Sequence, residues 1–137
     1  MIFNPDTFEL FLFTTDPQLA KECNSAGVNA IIIDWENKDK EKRQNGYSTQ
    51  INYDTADDLV LMRNNFPGTI ICRINKYNPL YAEDEINQAI DGGADELLLP
   101  MVENKEEVNH VLKIVNNRCK VGILIETDAA VNNAASF

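Results

Sequence analysis

Four charged side chains stand directly after short apolar runs of the sequence, and their types suit the binding of a small anion and a cation. They are Asp34, Glu36, Arg73 and Glu126. A guanidinium group offers a planar fork of donors that matches a carboxylate or a phosphate. Convergent carboxylate oxygens suit a hard cation such as Mg²⁺, which takes one or two protein carboxylates and fills its other positions with waters or substrate oxygens.

Each of these residues also has a purely structural interpretation. Arg73 could form an ion pair with a neighbouring carboxylate such as Glu36 or Glu126 instead of binding a ligand. Asp34 could accept hydrogen bonds from the backbone amides of the turn that follows it. Glu126 could be solvated or paired. The i, i+2 spacing of Asp34 and Glu36 places both side chains on one face of an extended segment, which is why we treat them as a pair.

The apolar runs predict five strands. They cover residues 10–13, 30–33, 69–72, 96–99 and 121–125. These runs are continuously apolar, which is typical of strands covered on both faces of a parallel sheet. Amphipathic stretches between them predict helices over 17–26, 55–66, 82–91 and 105–116. Asp16 before Pro17, and Thr55 before two aspartates, are helix-starting signals.

Strands that alternate with helices imply a parallel sheet, either closed into a barrel or open and doubly wound. Polar groups follow every predicted strand, at the edge where parallel α/β proteins collect their active sites. This distribution favours the mouth of a TIM-type barrel, because the crevice of an open sheet uses mainly the strands at one switch point. No glycine-rich nucleotide motif follows the first strand. The predicted class is therefore α/β, with five of the eight βα units of a TIM-type barrel.

Length and charge restrict the function further. The chain has 137 residues, which predicts one domain over 1–137, whereas a complete barrel needs at least about 200 residues. The net charge of −10 disfavours nucleic acid and anionic membranes as partners. The apolar runs are too short to cross a bilayer, and a cytoplasmic location is predicted.

The remaining reactive side chains give little indication of function. Three widely spaced cysteines without a CxxC pattern argue against disulfides and zinc, and we expect each to be a small buried or half-buried apolar residue. His110, the only histidine, lies on a predicted helix away from every strand end. The polar segment 37–54 has four basic side chains that could reach an anion or could simply be solvated. They are Lys38, Lys40, Lys42 and Arg43.

Taken together, these motifs resemble the HpcH/HpaI aldolase and citrate lyase β-subunit family of phosphoenolpyruvate/pyruvate-binding barrels. The resemblance covers about residues 10–130. It is carried by AGVNAIIIDWE at 26–36, CRIN at 72–75, GGADELLLPMV at 92–102 and IET at 125–127. By this resemblance, Arg73 is similar to the arginine that binds the substrate carboxylate, and Glu126 to a ligand of the divalent metal. Asp34 and Glu36 match the acidic pair after the second strand and are assigned to substrate binding.

The resemblance implies a carbon–carbon lyase that acts on a 2-oxo or hydroxy acid, or its CoA thioester, through an enolate. Mg²⁺ or another divalent cation such as Mn²⁺ would stabilise that enolate, and Arg73 would be the catalytic side chain that fixes the carboxylate. Two features depart from the family. Asn37 stands where HpcH-type aldolases have a histidine, and the family's second metal-binding acid follows a sixth strand.

These departures lead to three hypotheses. In the first, the chain is the N-terminal part of a lyase-like domain, inactive by itself, whose unpaired sheet edges favour a homo-oligomer. In the second, it is a non-catalytic binding or structural protein on a degenerate barrel. In the third, it is an open-sheet regulatory domain of the flavodoxin type.

Overall fold

The computed structural model describes residues 8–38 and 52–137, whose strands form one five-stranded sheet. The strands are β1 (Phe11–Phe13), β2 (Ala30–Asp34), β3 (Thr69–Arg73), β4 (Glu96–Leu99) and β5 (Lys120–Ile123). The helices are α1 (Pro17–Ala26), α2 (Ala56–Asn65), α3 (Ala82–Asp91), α4 (Lys105–Val115) and α5 (Asp128–Asn133), with a 3₁₀ turn at Ala134–Ser136. None of these helices has the length and apolar composition needed to cross a bilayer.

The strands lie in the sheet in the order in which they occur in the sequence, and each is parallel to the next. A flavodoxin-type sheet has the order 2-1-3-4-5, in which the direction of winding reverses at a switch point. The consecutive order is that of a TIM-type barrel. The predicted partial-barrel class is therefore confirmed, and the flavodoxin-type alternative is wrong.

Helices cover one face of this sheet. Alternate residues of the central strands share a core with helix residues: Ile31, Ile33, Ile70, Cys72, Leu97 and Leu99 pack with Ala20, Leu59, Ile86 and Val111. Right-handed crossovers produce this arrangement whenever the strand order advances in one direction. The opposite face has its own small apolar cluster of Ala30, Ile32 and Ile71, with Leu98 packed against it. Asp34 and Arg73 continue this second face beyond Ile32 and Ile71, because side chains alternate along a strand.

The helix-starting signals act as predicted. The Asp16 side chain accepts hydrogen bonds from the backbone amides of Gln18 and Leu19 at the start of α1. Thr55 and Asp58 form a reciprocal capping box at the start of α2. Gly27 ends α1 with φ at 83°, a left-handed conformation that glycine adopts without steric cost. These caps fix where α1 and α2 begin and where α1 ends.

One arginine joins elements at the sheet edge opposite the predicted site. Arg63 on α2 donates to Asp95 Oδ2 at 2.8 Å and to the backbone carbonyls of Phe66, Gly68 and Gly93. The same Asp95 oxygen accepts the Ile70 amide at 2.8 Å. The Arg63 side chain therefore ties the end of α2 to the starts of β3 and β4.

We expect Arg63→Ala to lower the free energy of unfolding by about 2 kcal/mol, because several carbonyls and one carboxylate lose a shared donor. Urea denaturation measures this loss. Lys113→Ala is the matched control, since Lys113 is an exposed basic side chain on α4. Equal effects of the two substitutions would contradict a structural role for Arg63.

Candidate functional site

The site is built on a buried ion pair between neighbouring strands. The register places Asp34, the last residue of β2, opposite Arg73, the last residue of β3. Arg73 Nε donates to Asp34 Oδ1 at 2.9 Å and Arg73 Nη2 donates to Asp34 Oδ2 at 2.8 Å. This two-bond geometry is the strong form of the arginine–carboxylate interaction. The structural alternative raised for Arg73, an ion pair, is thus present, with Asp34 as its main partner.

Asp34 is fully buried, so its charge must be compensated by hydrogen bonds and a cation. Besides Arg73, its carboxylate accepts the Glu36 amide at 3.1 Å and Asn52 Nδ2 at 3.1 Å. Its own backbone amide donates to Asp54 Oδ2 at 2.8 Å. Asp34 therefore bonds the turn that follows β2, as considered from the sequence, and it also pairs with Arg73, for which the sequence suggested Glu36 and Glu126 as partners. Its direct contact with a substrate stays a prediction.

Arg73 is held on one edge by two acidic residues. Glu36 Oε2 lies 3.4 Å from Arg73 Nε, and Glu36 is almost completely buried. The guanidinium carbon lies 5.0 Å from the centre of the Phe13 ring, within range of a cation–π contact. Burial lowers the pKa of Arg73, but the hydrogen bond and charge of Asp34, with the charges of Glu36 and Glu126, outweigh it, so the pKa lies above its usual value. Arg73 is therefore permanently charged.

A cleft of about 520 Å³ lies beside this guanidinium. It is lined by Phe13, Thr14, Thr15, Asp16, Asn52, Asp54 and Arg73. Among these residues Arg73 is the single cation, and no described residue accepts a hydrogen bond from its Nη1. The volume lies within the range of small-molecule pockets. The cleft can therefore place a small anion against the edge of Arg73 that Asp34 does not occupy.

Glu126, the predicted metal ligand, lies after β5 and is exposed. Its charge is one of those that raise the pKa of Arg73, after the hydrogen bond and charge of Asp34 and the charge of Glu36. Within 8–38 and 52–137, no three His, Cys, Asp or Glu side chains converge as a metal site. A single carboxylate fits Mg²⁺ only as one ligand among waters and substrate oxygens. The assignment of Glu126 as a metal ligand stays a prediction.

Residues 34–38 form a turn after β2, called the β2 turn below. Hydrogen bonds through Asn75 connect this turn to helix α3. The amides of Asn37 and Lys38 donate to the side chain of Asn75, which in turn donates to Glu85 on α3. Burial raises the pKa of Glu85, while the hydrogen bonds from Asn75 and the charge of Lys38 oppose that rise. Glu85 and Asn75 thus belong to the surroundings of the site.

Sequence reasoning missed several of these partners. Phe13 was assigned only to a strand, and Asp54 and Glu85 were assigned no role. Asp54 immediately precedes a helix cap, and a carboxylate just before a helix that follows a strand end is a signal that could have marked it. Glu85 gave no signal, because it is one of three acidic residues in the first turn of α3.

The structure also shows the surroundings of the cysteines, of His110 and of Lys38. Cys23 and Cys72 are buried and Cys119 is half-buried, all three as free thiols, as expected. His110 stacks against Tyr77 at a ring separation of 5.6 Å, on α4. In the basic segment, Lys38 lies over the Tyr81 ring at 3.3 Å. Lys40, Lys42 and Arg43 lie outside the described residues.

Comparisons with known proteins point in one direction. A family model described as HpcH/HpaI aldolase/citrate lyase matches residues 7–136. No curated protein sequence matches the chain. Among solved structures, the citrate synthase SbnG superposes with a TM-score of 0.65 at 16% sequence identity, over 90% of this chain and 53% of its own.

A second solved structure supports the same fold. It is an HpcH/HpaI aldolase from Desulfitobacterium hafniense DCB-2, with a TM-score of 0.64 at 14% identity, over 93% of this chain and 57% of its own. At such identities the likeness concerns the fold. The chain spans a little over half the length of these two proteins.

We expect Asp34→Ala to lower the free energy of unfolding by about 3 kcal/mol, because it leaves the largely buried Arg73 guanidinium without its main partner. Chemical denaturation followed by circular dichroism gives this value. Asp91→Ala, which removes an exposed carboxylate at the end of α3, is the control. An Asp34→Ala effect within 0.5 kcal/mol of the control, roughly the size of an ordinary surface substitution, would show that the pair is not a stabilising constraint.

Proposed function

Because this chain belongs to the HpcH/HpaI aldolase/citrate lyase family, we propose that it carries a carbon–carbon lyase site that binds a 2-oxo or hydroxy acid, or its CoA thioester, at Arg73. One observation carries the proposal. The Arg73 guanidinium is fixed along its Nε edge by Asp34, while the residue itself lines a cleft of about 520 Å³. A fork that is oriented before the ligand arrives loses little freedom on binding.

The charges around Arg73 support a requirement for a cation. Arg73 is one positive group, whereas Asp34, Glu36 and Glu126 are three negative groups that all act on it. A carboxylate substrate would add a further negative charge to this set. A divalent cation beside Glu126 would offset that charge and would also supply Lewis-acid stabilisation of negative charge that develops on a substrate oxygen.

The chain's own residues have distinct parts in this proposal. Arg73 binds and orients the substrate carboxylate through the donors that Asp34 does not use. Asp34 and Glu36 act on the substrate through Arg73, since both contact its Nε. Glu126 provides the carboxylate for the cation. Phe13 covers the guanidinium and limits its exposure to water.

A second candidate is a non-catalytic protein that binds carboxylates on the same partial barrel. It is favoured by Asn37, an amide without a titratable proton, in the turn where related aldolases are expected to have a histidine. Exchange of the pyruvate methyl protons in D₂O with Mg²⁺ tests this alternative. Exchange supports the lyase site and contradicts both the binding protein and the inactivity expected from the sequence. Binding without exchange agrees with the binding protein and with a lyase site that is inactive in this chain.

We expect Arg73→Lys to weaken pyruvate binding at least tenfold, since lysine keeps the charge next to Asp34 but lacks the second arm of the fork, a loss of roughly 1.5–3 kcal/mol. Isothermal titration calorimetry with pyruvate in the presence of Mg²⁺ measures the affinity, and circular dichroism checks the fold. Lys113→Ala should bind as the unsubstituted chain does. Undiminished pyruvate binding by a folded Arg73→Lys variant would refute the assignment of Arg73.

A separate prediction concerns Glu126. Mg²⁺ should strengthen pyruvate binding by the unsubstituted chain, and Glu126→Gln should abolish that strengthening while pyruvate binding without Mg²⁺ is unchanged or slightly improved. The reason is that glutamine removes the carboxylate charge that a hard cation needs. Glu106→Gln, at an exposed position on α4, is the control. If Glu126→Gln responds to Mg²⁺ as the unsubstituted chain does, Glu126 is not the ligand.

A further inference from the structure

We propose that Asn75 and Glu85 are positioning residues of the candidate site, which hold the β2 turn, and with it Glu36, in place against Arg73. The inference rests on the proposed binding of a carboxylate at Arg73. It concerns side chains that lie outside the cleft and adds a connection from helix α3 to the guanidinium.

Asn75 is the centre of this connection. It follows β3 by two residues and is 3% exposed. Its Oδ1 accepts the backbone amide of Asn37 at 3.1 Å and that of Lys38 at 2.9 Å. Its Nδ2 donates to Glu85 Oε1 at 2.5 Å, and its backbone amide faces both Glu85 oxygens at 3.3 and 3.4 Å. One short side chain thus contacts both helix α3 and the β2 turn, whose Lys38 lies 37 residues before Asn75 in the sequence.

The chemistry of these partners determines the orientation of the Asn75 amide. Backbone N–H groups only donate, and an ionised carboxylate only accepts. Oδ1 must therefore face the β2 turn, and Nδ2 must face Glu85. Aspartate at 75 would offer two acceptors and would place a second carboxylate against Glu85, whereas alanine would leave the backbone amides of Asn37 and Lys38 without this acceptor. Asparagine at 75 and glutamate at 85 form a complementary pair.

The β2 turn connects this pair to Arg73. Its start is bonded to β3, because the Trp35 amide donates to the Arg73 carbonyl at 2.9 Å. Its middle residue, Glu36, donates its amide to Asp34 and approaches Arg73 Nε through Oε2. Its end is bonded to Asn75. If the bonds between Asn75 and the end of the β2 turn were lost, Glu36 would be able to move relative to Arg73 Nε. Asp34 would then be left as the main group that orients the guanidinium.

A change of this kind alters the direction of the guanidinium without removing it. Arg73 Nε donates to Asp34 Oδ1 at 2.9 Å and lies 3.4 Å from Glu36 Oε2, so Asp34 sets the plane of the fork by hydrogen bonds and the charge of Glu36 acts on the same edge. The donors left for a substrate turn with that plane. Loss of the groups that orient a metal-ligating side chain typically weakens binding roughly 10- to 100-fold, and we expect a loss of the same order for the orientation of Arg73.

The test exchanges the two functional groups. Asn75→Asp should weaken pyruvate binding, measured calorimetrically with Mg²⁺, at least tenfold. The double variant Asn75→Asp/Glu85→Gln places the carboxylate at 75 and the amide at 85, and should restore the affinity to within threefold of the unsubstituted chain. Asp84→Asn, which makes the same charge change as Glu85→Gln at the neighbouring exposed position of α3, should have no effect.

A second measurement reports on Arg73 without any ligand. The Nε–H signal of Arg73 in ¹⁵N-correlated NMR spectra should shift in Asn75→Asp and return to its original position in the double variant. A substitution that only lowered stability would change the melting temperature but not this signal. If Asn75→Asp does not fold, the double variant still tests the proposal. The proposal requires the double variant to fold, to bind pyruvate and to show the original Nε–H signal of Arg73.

The outcomes separate the two proposals. An unsubstituted chain that binds no pyruvate overturns the proposed function, while the Nε–H signal still tests the positioning of Arg73. Pyruvate binding that is equal in the unsubstituted chain and in Asn75→Asp, or a folded double variant with tenfold weaker binding, overturns the roles of Asn75 and Glu85.

Discussion

The buried carboxylate of Asp34 is the constraint on which the rest of this structure depends. A fully buried charge is costly unless a cation and several donors satisfy it. Arg73 meets this requirement only if β2 and β3 are neighbours, are parallel and pair in the observed register, because a shift of one residue would move one side chain to the helix-covered face. The ion pair therefore links the chemistry of the site to the alignment of the two central strands.

The winding of the sheet leaves room for that pair. Because the strand order advances in one direction, all the crossovers bring their helices to the same face. The other face carries a small apolar cluster and, at the carboxyl ends of the strands, the charged groups of the site. A doubly wound sheet would have covered this face with helices. The single direction of winding thus explains why the polar strand ends meet in a cleft.

Two kinds of interaction hold the arrangement at its opposite edges. At the amino ends of β3 and β4, Arg63 and Asp95 bond mainly backbone groups. At the carboxyl ends, Asn75 and Glu85 bond the turn that contains Glu36. Both use a side chain to replace backbone pairing where the strands end. The two solved structures described above share this fold at 14% and 16% identity, as expected for a scaffold specified mainly by apolar pattern and caps.

The sequence by itself determined the five strands and the first four helices, whereas α5 was not predicted. Continuous apolar runs identified the five strands, and Asp16 and Thr55 identified helix starts, because these signals arise within a few neighbouring residues. Arg73, Asp34 and Glu36 were also recognisable as a group, since each follows a strand at the same predicted edge. The resemblance to the aldolase family rested on motifs of the same local kind, and the family match confirmed it.

Only the tertiary structure decided which polar and charged side chains are partners. Whether Arg73 faces Asp34, Glu36 or Glu126 depends on strand register and on the shape of the β2 turn, which no local signal encodes. Phe13, Asp54 and Glu85 come from a first strand, a loop end and a helix that are distant in sequence, and their roles exist only because the fold brings them to one guanidinium or one turn. Hydrogen bonds and ion pairs act over about 3 Å in space, whatever the separation along the chain. The residue types therefore followed from the sequence, whereas their partnerships followed from packing.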